Sequence, residues 1–379
     1  MFLFCINALW HTPPREWFRQ QWWLLGMAWI GLYALSYFWS SDIPYWTERV
    51  QVKFPFILFP LAFCFLRPLN NRQLQILSFG LMALAAGGCL YTLSFFFADP
   101  EKSISGYFYS QVLPTPAYKD HIRFSIFIAW IVIWCCFTFR KMDSPRQKAI
   151  TAAAVIFFVL FLHLLAVRSG LLVLYTFISL YIIYLFRRGK ARTASLILLS
   201  GIVSVSVAYT YIPSFRSKIQ YAVYSLNEYE QGNHSADFSD IGRLISYDLA
   251  FRIIKEHPVL GVGAGDIREE MKRKYELYSP DTRPEQRIVP HNQLMEVTLA
   301  GGLVTLGVFL GWLFYPLRRL KKNRASFYVL ATWLALFVAM MVEAMLEVQF
   351  GVFVYLFAML WMQKATQSAA DATPAAAAL

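Results

Sequence analysis

Residues 149–186 read AITAAAVIFFVLFLHLLAVRSGLLVLYTFISLYIIYLF. The stretch holds two apolar runs, 149–166 and 169–186, parted only by Val167 and Arg168. Each is close to the roughly 20 residues that cross a bilayer. Two such runs on so short a connection predict an antiparallel pair of membrane spans. Working outward, further runs recur at 22–41, 73–97, 124–140, 194–212, 292–315, 326–342 and 345–362. A shorter one at 54–66 is interrupted by Pro55 and Pro60. The expected fold is an all-α integral membrane protein with about ten transmembrane helices. Composition agrees: 58% hydrophobic and 17% aromatic residues in 379, with a mean hydropathy of +0.45, exclude a pair of soluble domains. Met1 to Trp10 is apolar but too short to span, and no small-residue cleavage site follows it, so no signal peptide is expected.

The net charge of +12 raises nucleic acid as a partner, and the placement of the basic residues excludes it. Arg15 and Arg19, Arg67 and Arg72, the 140–148 cluster, the 187–192 cluster and the 318–324 cluster occupy alternate connections. By the positive-inside rule these face the cytoplasm. The other connections, 42–53, 98–123, 167–169, 213–290 and 343–347, mix acids and bases and face out. The longest, 213–290, carries eleven Lys/Arg against twelve Asp/Glu and is the one large outer segment. The chain therefore divides into an N-terminal helix bundle (1–212), an outer loop (213–290), C-terminal spans (291–363) and a disordered Ala-rich tail (364–379). All five cysteines fall in apolar runs, so neither a disulfide framework nor a zinc site is expected. The absence of a fixed-period repeat or inverted symmetry weighs against a transporter.

Within the outer loop, Arg243 to His257 reads as an amphipathic helix stopped by Pro258, with Leu244, Tyr247, Phe251 and Ile254 on one face that lies either on the membrane surface or on the tops of the spans. Asp266 and Glu269 have the spacing of a capping box that starts a second helix, to about Leu277. Between them, Gly261 to Gly265 reads as a turn: it has neither the preceding strand nor the lysine of a phosphate loop.

The chemistry-bearing residues stand at the outer ends of spans. Arg168 is either a snorkelling arginine or an anion clamp, because a planar guanidinium matches phosphate oxygens bidentately. Arg243 places a cation in the first turn of a helix, where the helix dipole disfavours it and an anionic partner would offset the cost. His291 follows Pro290 at the mouth of a span and is the best general-base candidate, imidazole being the side chain that ordinarily titrates near neutrality; a structural histidine is the other reading. Its serious rival is His121 with Arg123. Glu343 and Glu347, at i and i+4, would share one helical face and either orient His291, bind sugar hydroxyls or pair with the arginines. No outward Asp-X-Asp or His-X-X-X-His pair is present, so no metal is expected.

Taken in order, Arg168-Ser169-Gly170, Gly242-Arg243 running into His257-Pro258-Val259-Leu260-Gly261-Val262-Gly263, His291-Asn292-Gln293-Leu294 before Gly301-Gly302, and Glu343-Ala344-Met345-Leu346-Glu347 resemble the O-antigen ligase and Wzy-type polymerase family. The resemblance covers about 150 to 360, and the N-terminal third in hydropathy alone. It implies a GT-C-like, metal-independent, inverting glycosyltransferase without cofactors, in the bacterial inner membrane with its site facing the periplasm. The implied partners are an undecaprenyl-diphosphate-linked glycan as donor and lipid A-core or another glycan as acceptor. It implies that Arg168 and Arg243 hold the diphosphate and that His291 activates the acceptor hydroxyl, with Asn292, Glu343, Glu347 and Arg123 as supporting residues. The leading expectation is a ligase, the alternative a polymerase, and a flippase of lipid-linked sugar ranks lower. Fewer spans are readable than the family carries, and the long soluble C-terminal extension of protein-glycosylating relatives is not seen, which ranks that branch lower.

Overall fold

The computed structural model describes residues 18–66, 69–108, 112–117, 120–231, 239–320 and 324–371, with Ile6 and Trp10. Among them no strand occurs; the protein is all-α. In chain order the helices are α1 (Gln21–Leu35), α2 (Ile43–Gln51), α3 (Pro55–Phe65), α4 (Asn71–Ala98) and α5 (Pro100–Phe108). There follow α6 (His121–Thr138), α7 (Pro145–Leu165), α8 (Arg168–Arg187), α9 (Ala191–Tyr211) and α10 (Pro213–Glu230). The last five are α11 (Ser239–Glu256), α12 (Ile267–Tyr278), α13 (Gln293–Phe314), α14 (Arg324–Val342) and α15 (Gln349–Asp371).

All ten expected apolar runs fold as helix. Among the described residues, 7 helices are long and apolar enough to cross a membrane: α4, α6 extended to Lys141, α7, α8, α9, α13 extended to Arg318, and α14 from Ala325. The run at 22–41 gives the 15 residues of α1 and then a 3₁₀ turn, Ser36–Trp39. The run at 54–66 gives only the 11 residues of α3, roughly 16 Å of helix at 1.5 Å per residue. Leu66 beyond it is already extended. Residues 364–371, expected in the disordered tail, instead continue α15. Residues 372–379, like most of Met1 to Trp10 and like His234, lie outside the described residues.

The chain forms two compact units. The first comprises Met1–Arg67, Tyr224–Lys321 and Met340–Leu360; the second comprises Pro68–Val223, Lys322–Ala339 and Trp361–Leu379. In the first, α1 packs on α13 and α3. Trp29, Phe56, Phe309 and Trp312 meet there at ring-centroid distances of 4.9 to 5.8 Å, and the Trp22 indole donates to the Trp312 carbonyl at 3.0 Å. Such rings supply large apolar contact areas, and the indole finds its acceptor.

In the same unit α11 packs on α12 and α13. Ile241, Leu249, Ala250 and Ile253 are its buried apolar side chains, whereas Leu244 and Phe251 are exposed. The expected capping box is absent. The Asp266 carboxylate accepts from the N–H groups of Ser41 (2.8 Å) and Asp42 (2.9 Å), so it ties α12 to the loop before α2. The glycine-rich turn, by contrast, is a turn with a clear task. Val262 N–H donates to the Leu299 carbonyl and Leu303 N–H to the Pro258 carbonyl, each at 2.8 Å. Gly261 and Gly302 both sit at φ +66°, and a side chain on either would strike the carbonyl opposite, of Leu299 and Val259 respectively. The helix of α13 is broken at Gly301 and Gly302, where the turn lies against it.

The second unit is built around α6, which packs on α4, α7 and α8. Its sequence is apolar on every side, and every residue from 124 to 135 is buried. Gly170 on α8 admits Ser125 of α6 at a distance no side chain would allow.

Candidate functional site

Asn292 sets the geometry at the mouth of α13. Its Oδ1 accepts from the N–H groups of Leu294 (2.9 Å) and Met295 (3.2 Å), the bonding of an N-cap residue. Its Nδ2 donates to the Met341 carbonyl at 3.1 Å, joining the cap to the end of α14. Asn292 therefore caps α13 and ties to the end of α14 the point where the chain leaves His291.

His291 Nδ1 lies 2.9 Å from Glu343 Oε2. The Glu343 side chain is 4% exposed and the imidazole 27%, so the carboxylate is enclosed while the ring reaches outward. An ionised carboxylate can only accept, which puts the proton on Nδ1 and leaves Nε2 of the neutral ring with its lone pair. The Tyr247 hydroxyl donates to the His291 carbonyl at 2.9 Å. Burial raises the Tyr247 phenol above its ordinary range; Arg243 pulls it down and Glu343 pushes it up, so both charges act on this tyrosine. Arg243 stands one turn before Tyr247 on α11, and its guanidinium forms no ion pair with a described acid. The first unit thus brings together Arg243, Tyr247, His291 and Glu343. Tyr247 was legible only as part of an apolar face.

Glu343 and Glu347 do not share a helical face. The chain leaves α14 at Val342 and passes through a 3₁₀ turn, Met345–Glu347, which sends the two carboxylates to different partners. Glu347 is buried in a charged network: Lys53 Nζ lies 2.6 Å from Oε2, Arg49 Nη2 3.0 Å from it, and Gln293 Nε2 donates to Oε1 at 2.7 Å. Arg49 also bridges to Glu296 at 2.9 Å, and Lys53 donates to the Leu346 carbonyl at 2.6 Å. Sequence reasoning missed Arg49, Lys53 and Glu296. Glu296 is the one acid in the span 293–318, a signal that could have found it. The network's effect is mechanical: it clamps one end of the short 343–348 connection whose other end presents Glu343 to His291.

Arg168 and Arg123 belong to the second unit. Arg168 is the first residue of α8, after a turn in which Ala166 takes the left-handed conformation at φ 51°. Its guanidinium lies 5.9 Å from the centre of the Tyr221 ring. Arg123 pairs with Asp120, the N-cap of α6, at 3.2 Å. His163, in α7, is bonded on both ring nitrogens, to the Val159 carbonyl (2.7 Å) and the Tyr175 hydroxyl (2.8 Å), and is a satisfied core histidine.

His291 opens onto a cavity of about 720 Å³, lined also by α12 and by the return segment 284–289. Among the described residues, no group of three or more His, Cys, Asp and Glu is placed to hold a metal ion.

Residues 153–310 match the family model described as O-antigen ligase. This supports assignment to the O-antigen ligase and Wzy-type family. The matched segment runs from α7 into α13, so it includes Arg168, Arg243, His291 and Asn292, while Arg123, Glu343 and Glu347 lie outside it. No curated protein matches the chain.

Proposed function

We propose that this member of the O-antigen ligase and Wzy-type assignment is a metal-independent, inverting glycosyltransferase. It moves a preassembled glycan from undecaprenyl diphosphate to a sugar hydroxyl of lipid A-core. The reaction runs on the periplasmic face of the bacterial inner membrane, the side that the distribution of Lys and Arg gives to the 213–290 loop. The observation that carries this reading is the buried Glu343 carboxylate on His291 Nδ1, which leaves Nε2 as a base at the mouth of a cavity.

The acceptor oxygen attacks the anomeric carbon while the bond from that carbon to the diphosphate oxygen breaks. Its proton passes to His291 Nε2, and the bonding pair leaves with undecaprenyl diphosphate. Glu343 stabilises the imidazolium that forms, as a carboxylate does for a histidine base elsewhere. Arg243 and Arg168 meet the charge developing on the leaving diphosphate, the work a metal would otherwise do. Attack from the side opposite the leaving group inverts the anomeric centre.

The test is a reconstituted transfer assay with an undecaprenyl-diphosphate glycan, run with and without lipid A-core and read by gel and mass spectrometry. A single addition that requires lipid A-core, lost in His291→Ala with folding intact, is the expected result. A ladder from donor alone means a polymerase, and full activity in His291→Ala removes the histidine from the mechanism.

A further inference from the structure

The cavity beside His291 has an apolar floor and a cationic rim. Met271, Tyr275, Ile288 and Val289 line it, and Arg268, Lys272 and Arg287 bring three positive charges against the single carboxylate of Glu276. Its volume of about 720 Å³ falls in the range of small-ligand pockets. The three cations are not equivalent. Arg287 is drawn to Glu276 at 3.3 Å and donates to the Thr282 carbonyl, and Lys272 lies 3.3 Å from Glu269. Arg268 has no acid partner among the described residues; its guanidinium lies 3.9 Å from the centre of the Tyr45 ring. Tyr45 is itself buried, so it makes a fixed platform. A guanidinium held over a ring face spends none of its N–H groups on that contact, and they stay available to an oxyanion. The two sides of His291 also differ: α11, with Arg243, reaches its backbone through Tyr247, whereas the cavity is walled by α12 and the return segment.

We infer that this cavity is the acceptor site and that it takes an acidic saccharide, whose phosphate or carboxylate is read by Arg268 and whose ring faces rest on the apolar floor. The inference rests on the glycosyl-transfer reading above, since inversion requires acceptor and diphosphate on opposite sides of the anomeric carbon.

The experiment uses the full chain in nanodiscs. Binding and transfer are measured separately for lipid A-core, for the same acceptor after phosphatase treatment, and after reduction of its uronates. Arg268→Ala should raise the acceptor KM and Kd about tenfold, the worth of one charge-assisted hydrogen bond, with kcat and donor KM unchanged. The treatment that removes the recognised anion should weaken wild type equally and leave Arg268→Ala unaffected, which identifies phosphate or carboxylate as the group. Arg252→Ala, an equal loss of charge on α11, should do neither. Equal loss on treated and untreated acceptors, or no loss, overturns the inference. Arg268-dependent binding without any transfer would instead leave the cavity assignment standing and overturn the transfer reading.

Discussion

Lys53→Met tests the claim that a buried charge network holds the 343–348 connection in place. Lys53 is fully buried, and its Nζ makes two short bonds, to Glu347 Oε2 and to the Leu346 carbonyl, both at 2.6 Å. With Arg49, Glu296 and Glu347 the four charges sum to zero. Methionine fills similar volume but leaves the cluster at −1, with the Leu346 carbonyl unpaired. Removing one partner from a buried pair costs about 3–5 kcal/mol. At about 2.1 cal/mol/K per residue, 379 residues give an unfolding entropy of about 0.8 kcal/mol/K, so the melting midpoint should fall by about 4–6 °C. Helices in detergent unfold incompletely, which lowers that entropy and enlarges the shift. The assay is thermal unfolding of the purified protein in one detergent, with Lys53→Met, Glu347→Gln and the double variant side by side. The double variant restores neutrality with Arg49 facing Glu296, and should recover most of the loss. A midpoint within 1 °C of wild type for Lys53→Met, or a double variant as unstable as the sum of the singles, would refute the reasoning.

Glu343→Gln keeps the shape but removes the charge on His291 Nδ1; a hydrogen bond to a charged group is worth about 1.5–3 kcal/mol, so kcat should fall roughly 10- to 100-fold at little change in KM. Steady-state transfer kinetics decide this, and an unchanged kcat would mean the carboxylate only positions the loop. Arg243→Lys and Arg168→Lys should each impair transfer, because an ammonium cannot reproduce the bidentate fork; full activity in both removes the diphosphate clamp. Glu256 accepts from Lys274 at 2.6 Å, a bond that holds its carboxyl below the ordinary carboxylate range. The folded state therefore binds this proton less readily than the unfolded one, and the contribution, complete at neutral pH, is lost as pH falls through the folded value. Amide protection factors in α11 and α12, taken relative to the intrinsic exchange rate at each pH, should fall on acidification in wild type, and Glu256→Gln should flatten that dependence.

The membrane spans were legible because length and hydropathy leave few alternatives for a run such as 149–166. What the sequence could not convey was which side of a helix meets protein. The stripe of Leu244 and Phe251 on α11 left open whether it meets the membrane surface or the spans; both are exposed, while Ile241, Leu249, Ala250 and Ile253 are inside. In a chain this apolar, exposed leucine and phenylalanine carry little information. Spacing misled at Asp266: the capping-box pattern was intact, but Ser41 and Asp42, more than 220 residues earlier, supply the donors. His291 with Glu343 was expected as one of several pairings, whereas Glu347 was assigned to the same face and in fact serves Lys53 and Arg49. Those two cations were invisible because their carboxylates lie 247 to 298 residues away along the chain.

That separation also orders the protein's birth. Arg49 and Lys53 leave the ribosome long before Glu296, and Glu347 comes later still. Through most of synthesis the two cations must be kept hydrated or attended by something other than their final partners, since entering an apolar interior unpaired would be prohibitive. The first unit can close only when the segment near 347 arrives. A nascent chain stalled before that point should therefore hold its early helices in an open arrangement, within reach of proteases and insertion factors, and a chain that ends early should be cleared rather than stored.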